Sequence, residues 1–499
     1  MKLLEREASA PVWSALAALV TAGIVMVDSR EFALDDAWIH LTYANNVRHA
    51  RGVTYNPGEW ETGFSSPLWL MILCAWPIGG DPVVAVKLLG ALLHAATAWL
   101  CAAVVISLAR ARASLERPLP VQSLALLAGV LVATAPPLVE GATSGMEVPL
   151  STASLAGLML ALVTGSLAAA MVTTCLAVLS RPEALVFVLV AASGFAWVHQ
   201  QTRLLWVAAA GIAAMSAWTI YCLVTTGAPL PNAWYVKGGI DPMSGMSYVT
   251  NEVFPWQPWL VSVTGVVLLG NAVWQERRDL RWDLAVLLLS TVICTLAVVA
   301  TRPLHPGVQF FERRYFAFVP LAFSIAAALG LVGVQAFGKW LAFALVVPVA
   351  IVTGLQLADV LARVRALEQD TFALHTSIAM WARRNLSNDA VIAVEGAGAL
   401  RFHTPATMTI VDLVGLNDHR AAALHDQPTA KLCHFVRRQP THFVVPIDWM
   451  PIYQRVFELA TITSFYDPEY TQVAPPRPLE IVVAEVRGVT PEWQARCAS

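Results

Sequence analysis

The segment Leu34-Asp35-Asp36-Ala37-Trp38-Ile39-His40 and its continuation Gly63-Phe64-Ser65-Ser66-Pro67-Leu68-Trp69 decide the fold. Two adjacent carboxylates follow the first long apolar run, Val12 to Val27, and so belong at a membrane surface. Ile39, Tyr43 and Val47 then recur at helical spacing, which predicts an amphipathic helix lying along the bilayer. Tyr55-Asn56-Pro57-Gly58 predicts a turn. The apolar run Pro67 to Ile78 is too short to span and is expected to be an interfacial helix, with Ser66 as N-cap and Pro67 in its first turn.

Composition agrees with a membrane setting. Of 499 residues, 57% are hydrophobic and 13% charged, and mean hydropathy is +0.61. A soluble protein carries roughly a quarter charged residues. The net charge of -2 argues neither for nor against nucleic acid, but no basic stripe with interleaved aromatics occurs, so no nucleic-acid partner is expected. The seven cysteines form no CxxC pair. Cys101, Cys175, Cys222 and Cys294 lie in apolar runs as small hydrophobes. Cys433 and Cys497 lie in the polar C-terminal part, where an oxidising compartment would let them pair. The first apolar run is not followed by a small-residue cleavage site and is expected to be a retained span.

Runs of spanning length predict about eleven helices, near 12–28, 83–108, 121–139, 148–165, 168–180, 182–198, 203–225, 258–274, 283–300, 315–335 and 340–360. With the short helix at Pro67 not crossing, the basic loops at Lys2 and Arg6, Arg110 to Arg117, Arg203, Arg277 to Arg281 and Lys339 share one side. The positive-inside rule makes that side cytoplasmic. The loops 29–66, 139–147, 226–257 and 301–314 then face outward, as does everything after about 361. The expected organisation is a transmembrane domain over 1–360 and an outer domain over 361–499. The latter starts with a polar helical pattern from Ala362 to Asn385. Short β-like runs follow at Val391 to Val394, Met408 to Val411, His442 to Val445 and Ile481 to Val483, predicting a mixed α/β domain.

A long first outer loop with an acidic pair, flanked by two interfacial helices, resembles the GT-C superfamily of polytopic membrane glycosyltransferases. The wording from Asp35 to Trp69 is most similar to the branch containing mycobacterial terminal arabinofuranosyltransferases. Further resemblances follow in order: Thr143-Ser144-Gly145-Met146-Glu147, Arg181-Pro182-Glu183, Pro231-Asn232-Ala233-Trp234-Tyr235-Val236-Lys237, Arg314-Tyr315 and Asp412-Leu413-Val414-Gly415-Leu416-Asn417-Asp418. The resemblance implies a GT-C fold and inverting transfer of a sugar from a polyprenyl-phosphate donor to a periplasmic glycan, glycolipid or protein. Arabinofuranose is the sugar it suggests.

Such chemistry needs a base for the acceptor proton and cations or a metal for the departing phosphate. Asp35 or Asp36 is expected to be the base, with the resemblance favouring Asp35; the other would hold a divalent metal, Mg or Mn, or orient the acceptor. The alternative role for the pair is an N-cap. Outer cations run against the topology rule, which makes Lys237, Arg302, His305, Arg313 and Arg314 the candidates for donor phosphate, Lys237 and Arg314 foremost. Headgroup contact is their alternative role. Glu147, Arg181, Glu183, Asn232, Tyr235 and Tyr55 are the candidates for the substrate groove. Ser144-x-x-Glu147 also fits a capping box, and Arg181 and Glu183 also suit a self-neutralising pair. Trp69, Trp234, Trp256 and Trp259 fit an interfacial belt.

A transporter or flippase for lipid-linked sugars would predict ionisable residues within spans and repeated halves. Few charges fall within the spans and no repeat is evident, and Lys87, early in the second span, is placed to snorkel outward. A purely structural or assembly protein would leave the acidic pair without a role.

Overall fold

The computed structural model describes residues 9–27, 29–77, 80–110, 121–239, 241–250, 278–301, 313–335, 339–472 and 475–498. The predicted span at 258–274, together with Arg302, His305, Trp256 and Trp259, lies outside the described residues. The chain divides into two compact units. The first comprises residues 1–29, 80–217 and 240–364; the second comprises 30–79, 218–239 and 365–499.

The first unit is helical. Among the described residues, Ser9–Met26, Pro82–Ala109, Thr202–Thr226 and Trp282–Thr301 are long and apolar enough to cross a membrane. Val148–Val163, Leu167–Ser180, Ala184–Val198 and Val319–Leu329 are shorter apolar helices. The predicted helix 121–139 is instead broken into Val121–Thr134 and Pro136–Thr143, bent by 56°. Pro136 and Pro137 impose the break, because proline drives the preceding residue, Ala135, out of helical conformation to ψ 121°. Part of the predicted loop 139–147 is therefore helix, buried along its whole length.

Small residues let these helices approach closely. A Cβ on Gly129 would lie 2.0 Å from the Ser14 hydroxyl oxygen, and one on Gly90 would lie 2.1 Å from the Ala142 carbonyl oxygen. Lys87 does not snorkel outward: it is 1% exposed and donates to the Ser29 hydroxyl.

The second unit is built on a five-stranded sheet. Its strands are β1 (Val391–Val394), β2 (Thr409–Asp412), β3 (His442–Pro446), β4 (Phe457–Tyr470) and β5 (Arg477–Val489), in the order β2-β1-β3-β5-β4. β1 runs parallel to β2 and β3, with Ile392 opposite Ile410 and His442. β5 is antiparallel to β3, with Val444 opposite Val483, and also to β4. Phe443 centres the core, its ring 4.9 Å from those of Tyr453 and Phe457. Cys433 and Cys497 form a disulfide with Cα atoms 5.2 Å apart.

The first loop belongs to this unit. Its helix Asp36–Arg48 is buried almost continuously from Ala37 to Ala44, not along one stripe as an amphipathic surface helix would be. Trp38 packs on Phe402 and His403 of the helix Gly398–His403, with ring centroids 4.7 and 4.6 Å away. Asn56 holds the predicted turn against the sheet: its amide donates to the Ile410 carbonyl at 2.9 Å, and its side-chain oxygen accepts the Ile410 N–H at 3.0 Å. The helix Pro67–Ala75 forms as expected, with the Ser66 hydroxyl accepting the Trp69 N–H. Trp69 itself is fully buried and is no part of an interfacial belt.

Candidate functional site

Within the second unit, Asp35 does not cap its own helix. Its two carboxylate oxygens accept the backbone N–H groups of Gly398 and Ala399, each at 2.7 Å. These amides open the helix that follows β1, and a helix N-terminus presents N–H groups to an anion. The close approach requires glycine. A Cβ on Gly398 would lie 2.0 Å from the Asp35 carbonyl oxygen, and one on Gly396 would lie 2.3 Å from Nδ1 of His375. Tyr55 is fully buried, and its hydroxyl donates to the Ala397 carbonyl at 2.5 Å, bracing the same loop.

Two further groups surround Asp35 that sequence reasoning did not single out. Nδ1 of His375 stands 4.0 Å from Asp35 Oδ1. It sits on the π-turn Phe372–Thr376, a local irregularity that re-aims side chains on an otherwise regular helix. Thr376 on that turn donates to Glu31 at 2.6 Å. Glu395, half-buried at the end of β1, has its carboxyl pushed above the usual range by burial, against the opposing pull of His375. The signal for this region was a strand followed by Gly396-x-Gly398 and a helix.

Asp36 faces Lys237, with Oδ2 3.1 Å from Nζ. Lys237 ends the helix Asn232–Lys237, whose start is locked in place. Asn232 is buried and donates to Glu61 at 3.0 Å and to the Leu416 carbonyl at 3.1 Å, and it accepts from Thr62. Tyr235 is half-buried on the same helix. The motif from Asp412 to Asp418 is a scaffold. Asp412 accepts N–H groups from Val414, Gly415 and Asn417. Asn417 in turn accepts the Tyr43 hydroxyl at 3.2 Å. Among the described residues no three His, Cys, Asp or Glu side chains are grouped to hold a metal ion. In the acidic pair, Asp35 accepts two backbone amides and Asp36 meets the Lys237 ammonium.

The first unit gathers other candidates. Arg181 bridges Glu147 at 2.9 Å and Glu183 at 2.7 Å. Its guanidinium lies 4.8 Å from the ring centroid of Tyr315, and that of Arg314 lies 5.4 Å from the same centroid. Glu147 makes no capping box: its side chain does not cap the helix Val148–Val163, and the Ser144 hydroxyl turns back to the Gly141 carbonyl. Arg313 instead meets Glu140 at 3.4 Å, and Arg363 meets the same carboxylate at 3.1 Å. Glu140 was hidden in the sequence by the apolar run that contains it. Buried ionic groups of this kind are costly to desolvate and need partners on every side. Lys237 and Arg314 belong to different units.

Comparison with known proteins adds the following. Residues 363–489 match the family model described as a domain of unknown function, DUF8728. No curated protein matches the chain. Among solved structures, it is similar to ArnT from Cupriavidus metallidurans bound to undecaprenyl phosphate, with a TM-score of 0.58, 14% identity, and coverage of 95% of this chain and 97% of that one. The apo state of the same protein matches with a TM-score of 0.54 and 13% identity, over 94% of this chain and 97% of that one. The chain therefore has the GT-C fold: a bundle of apolar helices with a small C-terminal sheet domain, as the sequence predicted.

Proposed function

We propose that this protein is an inverting glycosyltransferase that moves a sugar, by motif resemblance arabinofuranose, from a polyprenyl-phosphate donor to a hydroxyl on a glycan, glycolipid or protein. The observation that carries this reading is the Asp35 carboxylate held by two backbone amides beside the Asp36–Lys237 pair. Each Asp35 oxygen keeps a lone pair after accepting its amide, so an oriented base is available. The acceptor hydroxyl gives its proton to Asp35, and its oxygen attacks the anomeric carbon. The bond from that carbon to the phosphate oxygen breaks with its electron pair, releasing polyprenyl phosphate. Lys237, positioned by Asp36, supplies positive charge to the leaving phosphate. Asp35 is the catalytic residue and Asp36 a positioning residue.

The GT-C fold, and a structural neighbour whose structure holds undecaprenyl phosphate, support the lipid-linked donor. The apolar helices place the enzyme in a membrane. The distribution of basic loops supports a cytoplasmic amino terminus and a periplasmic second unit in a bacterial inner membrane. The Cys433–Cys497 disulfide suits that oxidising side. The test is to incubate purified protein with a panel of labelled polyprenyl-phosphate sugars and an acceptor extract. Consumption of one donor with release of polyprenyl phosphate is expected. Consumption of none, by protein that remains folded, overturns the proposal.

A further inference from the structure

A polar cleft of about 680 Å³ opens in the second unit between the turn after Asn56 and the helices that begin at His419 and Pro428. Trp60 forms one wall and is 53% exposed. Its six-membered ring rests against Gly52, where a Cβ would lie 2.8 Å away, so that side is closed. Position 52 has φ +78° and admits the ring because it carries no side chain. A large exposed indole backed in this way is a rigid platform. The aliphatic C–H face of a sugar ring stacks on such a surface, combining apolar contact with the negative face of the π-system.

The other walls carry planar polar groups whose orientation is fixed. Arg438 holds Glu59 through two bonds, at 2.7 and 3.0 Å. His419 meets Glu61 at 2.8 Å, and His434 meets Asp418 at 2.7 Å. Every carboxylate lining the cleft is thus already matched by a cation or an imidazole. Arg420 and Arg437 also line it. Both are exposed, and neither makes an ion pair with a described residue. The charge left to be satisfied in the cleft is therefore positive, and guanidinium groups bind carboxylates in a bidentate fork.

The cleft is tied to the acidic pair by one short helix. Asn232 touches Glu61 in the cleft wall, and Lys237 touches Asp36 at the other end. At 1.5 Å per residue the helix axis between them is roughly 8 Å long. That is on the scale of one or two sugar units.

We infer that this cleft is the acceptor subsite and that it takes an acidic oligosaccharide, with one ring stacked on Trp60 and a carboxylate held by Arg420 and Arg437. The inference rests on the transferase reading and names the acceptor class for it. The experiment is a calorimetric titration of the purified full chain with hexagalacturonate and, separately, with neutral maltohexaose. Saturable binding of the acidic hexamer is expected, at least ten-fold tighter than the neutral one. Trp60→Ala should weaken it ten-fold or more, and Trp60→Phe should keep most of the affinity. Arg420→Ser with Arg437→Ser should bring the acidic hexamer down to the neutral level. Failure of hexagalacturonate to bind, an unchanged affinity in Trp60→Ala, or a preference that survives the double arginine variant overturns the inference. Donor consumption that depends on Asp35, found without such binding, would leave the transferase standing and this cleft discarded. Binding without consumption of any donor would count against the transferase instead.

Discussion

Asp35→Asn is the sharpest perturbation of the proposed mechanism, and the structure shows why it needs a matched control. Both Asp35 oxygens accept a backbone N–H at 2.7 Å. Asparagine has only one acceptor oxygen, the other position being an NH2 group that can only donate, so that group must face one of the two amides. One hydrogen bond to a charged group, worth roughly 1.5–3 kcal/mol, is lost, and a buried donor is left without an acceptor. A stability loss of about 2–4 kcal/mol follows even if Asp35 plays no part in catalysis. Asn56→Ala supplies the control. It removes two bonds to the Ile410 backbone and one to Glu59 in the same unit, and leaves the acidic pair untouched. Both variants should show a lowered unfolding midpoint in detergent. Transfer is then assayed well below both midpoints, where each is folded. Asn56→Ala should retain transfer within a few-fold of the parent, whereas Asp35→Asn should lose about 10²–10⁴-fold, the usual cost of losing a positioned base. Transfer by folded Asp35→Asn within ten-fold of the parent would refute the assignment.

Other consequences can be measured directly. Lys237→Ala and Asp36→Asn should each weaken donor turnover, and the double variant should cost less than the sum, with a coupling of roughly 0.5–3 kcal/mol; strict additivity in a double-mutant cycle would break the pairing. Replacing Cys433 and Cys497 by serine opens a 64-residue loop, and loop-closure entropy puts the loss at about 4 kcal/mol; an unfolding midpoint unchanged by reductant would contradict the bridge. The bond from Glu61 raises the His419 imidazole above its ordinary value of 6.5. The folded state therefore holds the proton more tightly. The pair's stabilisation is full below pH 6.5 and is lost as pH rises through the folded value. Glu61→Gln should flatten that step in a pH series of thermal melts. Reporter fusions after Gln201 and after Arg365 should report opposite sides of the membrane, and equal signals would sink the topology.

The sequence discloses elements whose cause is local. Apolar runs mark the spans because the bilayer admits little else, and Ser66-Pro67 marks a helix start because its capping is local. β1 and β3 appear as apolar β-branched runs. β4 is not among the runs read as strands, and it carries Asp467-Pro468-Glu469 near its end. At the edge of the sheet proline loses no ladder partner, so the strand forms regardless. The acidic pair was legible as a pair, but its partners were not. Asp35 meets Gly398 more than three hundred and sixty residues away, and His375 owes its position to a π-turn that no periodicity announces. Asn232, read as a groove candidate, is a buried tie between Glu61 and Leu416. An asparagine's pattern in sequence is the same whether its amide faces a ligand or the protein.

The sheet explains why Asp35 is held where it is. In an open parallel sheet, ligands bind beyond the carboxyl ends of the strands, where successive connections leave in opposite directions. Here β1 leads to β2 on one side, and the chain then returns to β3 on the other, so the loop after β1 lies at that switch point. Its Gly396-Ala397-Gly398 sequence and the amides that follow form the kind of N-terminus that in other proteins receives a phosphate. In this chain the anion received is its own Asp35. The second unit therefore uses a ligand-binding geometry to grip the carboxylate proposed as the base, with β1, β2 and β3 beneath it. The grip depends on a missing side chain: any Cβ on Gly398 would overlap the Asp35 backbone at 2.0 Å. Gly398→Ala should therefore abolish transfer as thoroughly as the loss of Asp35 itself, although it touches neither substrate nor charge. If Gly398→Ala is folded and transfers at the parent rate, the amide grip is not what positions the base.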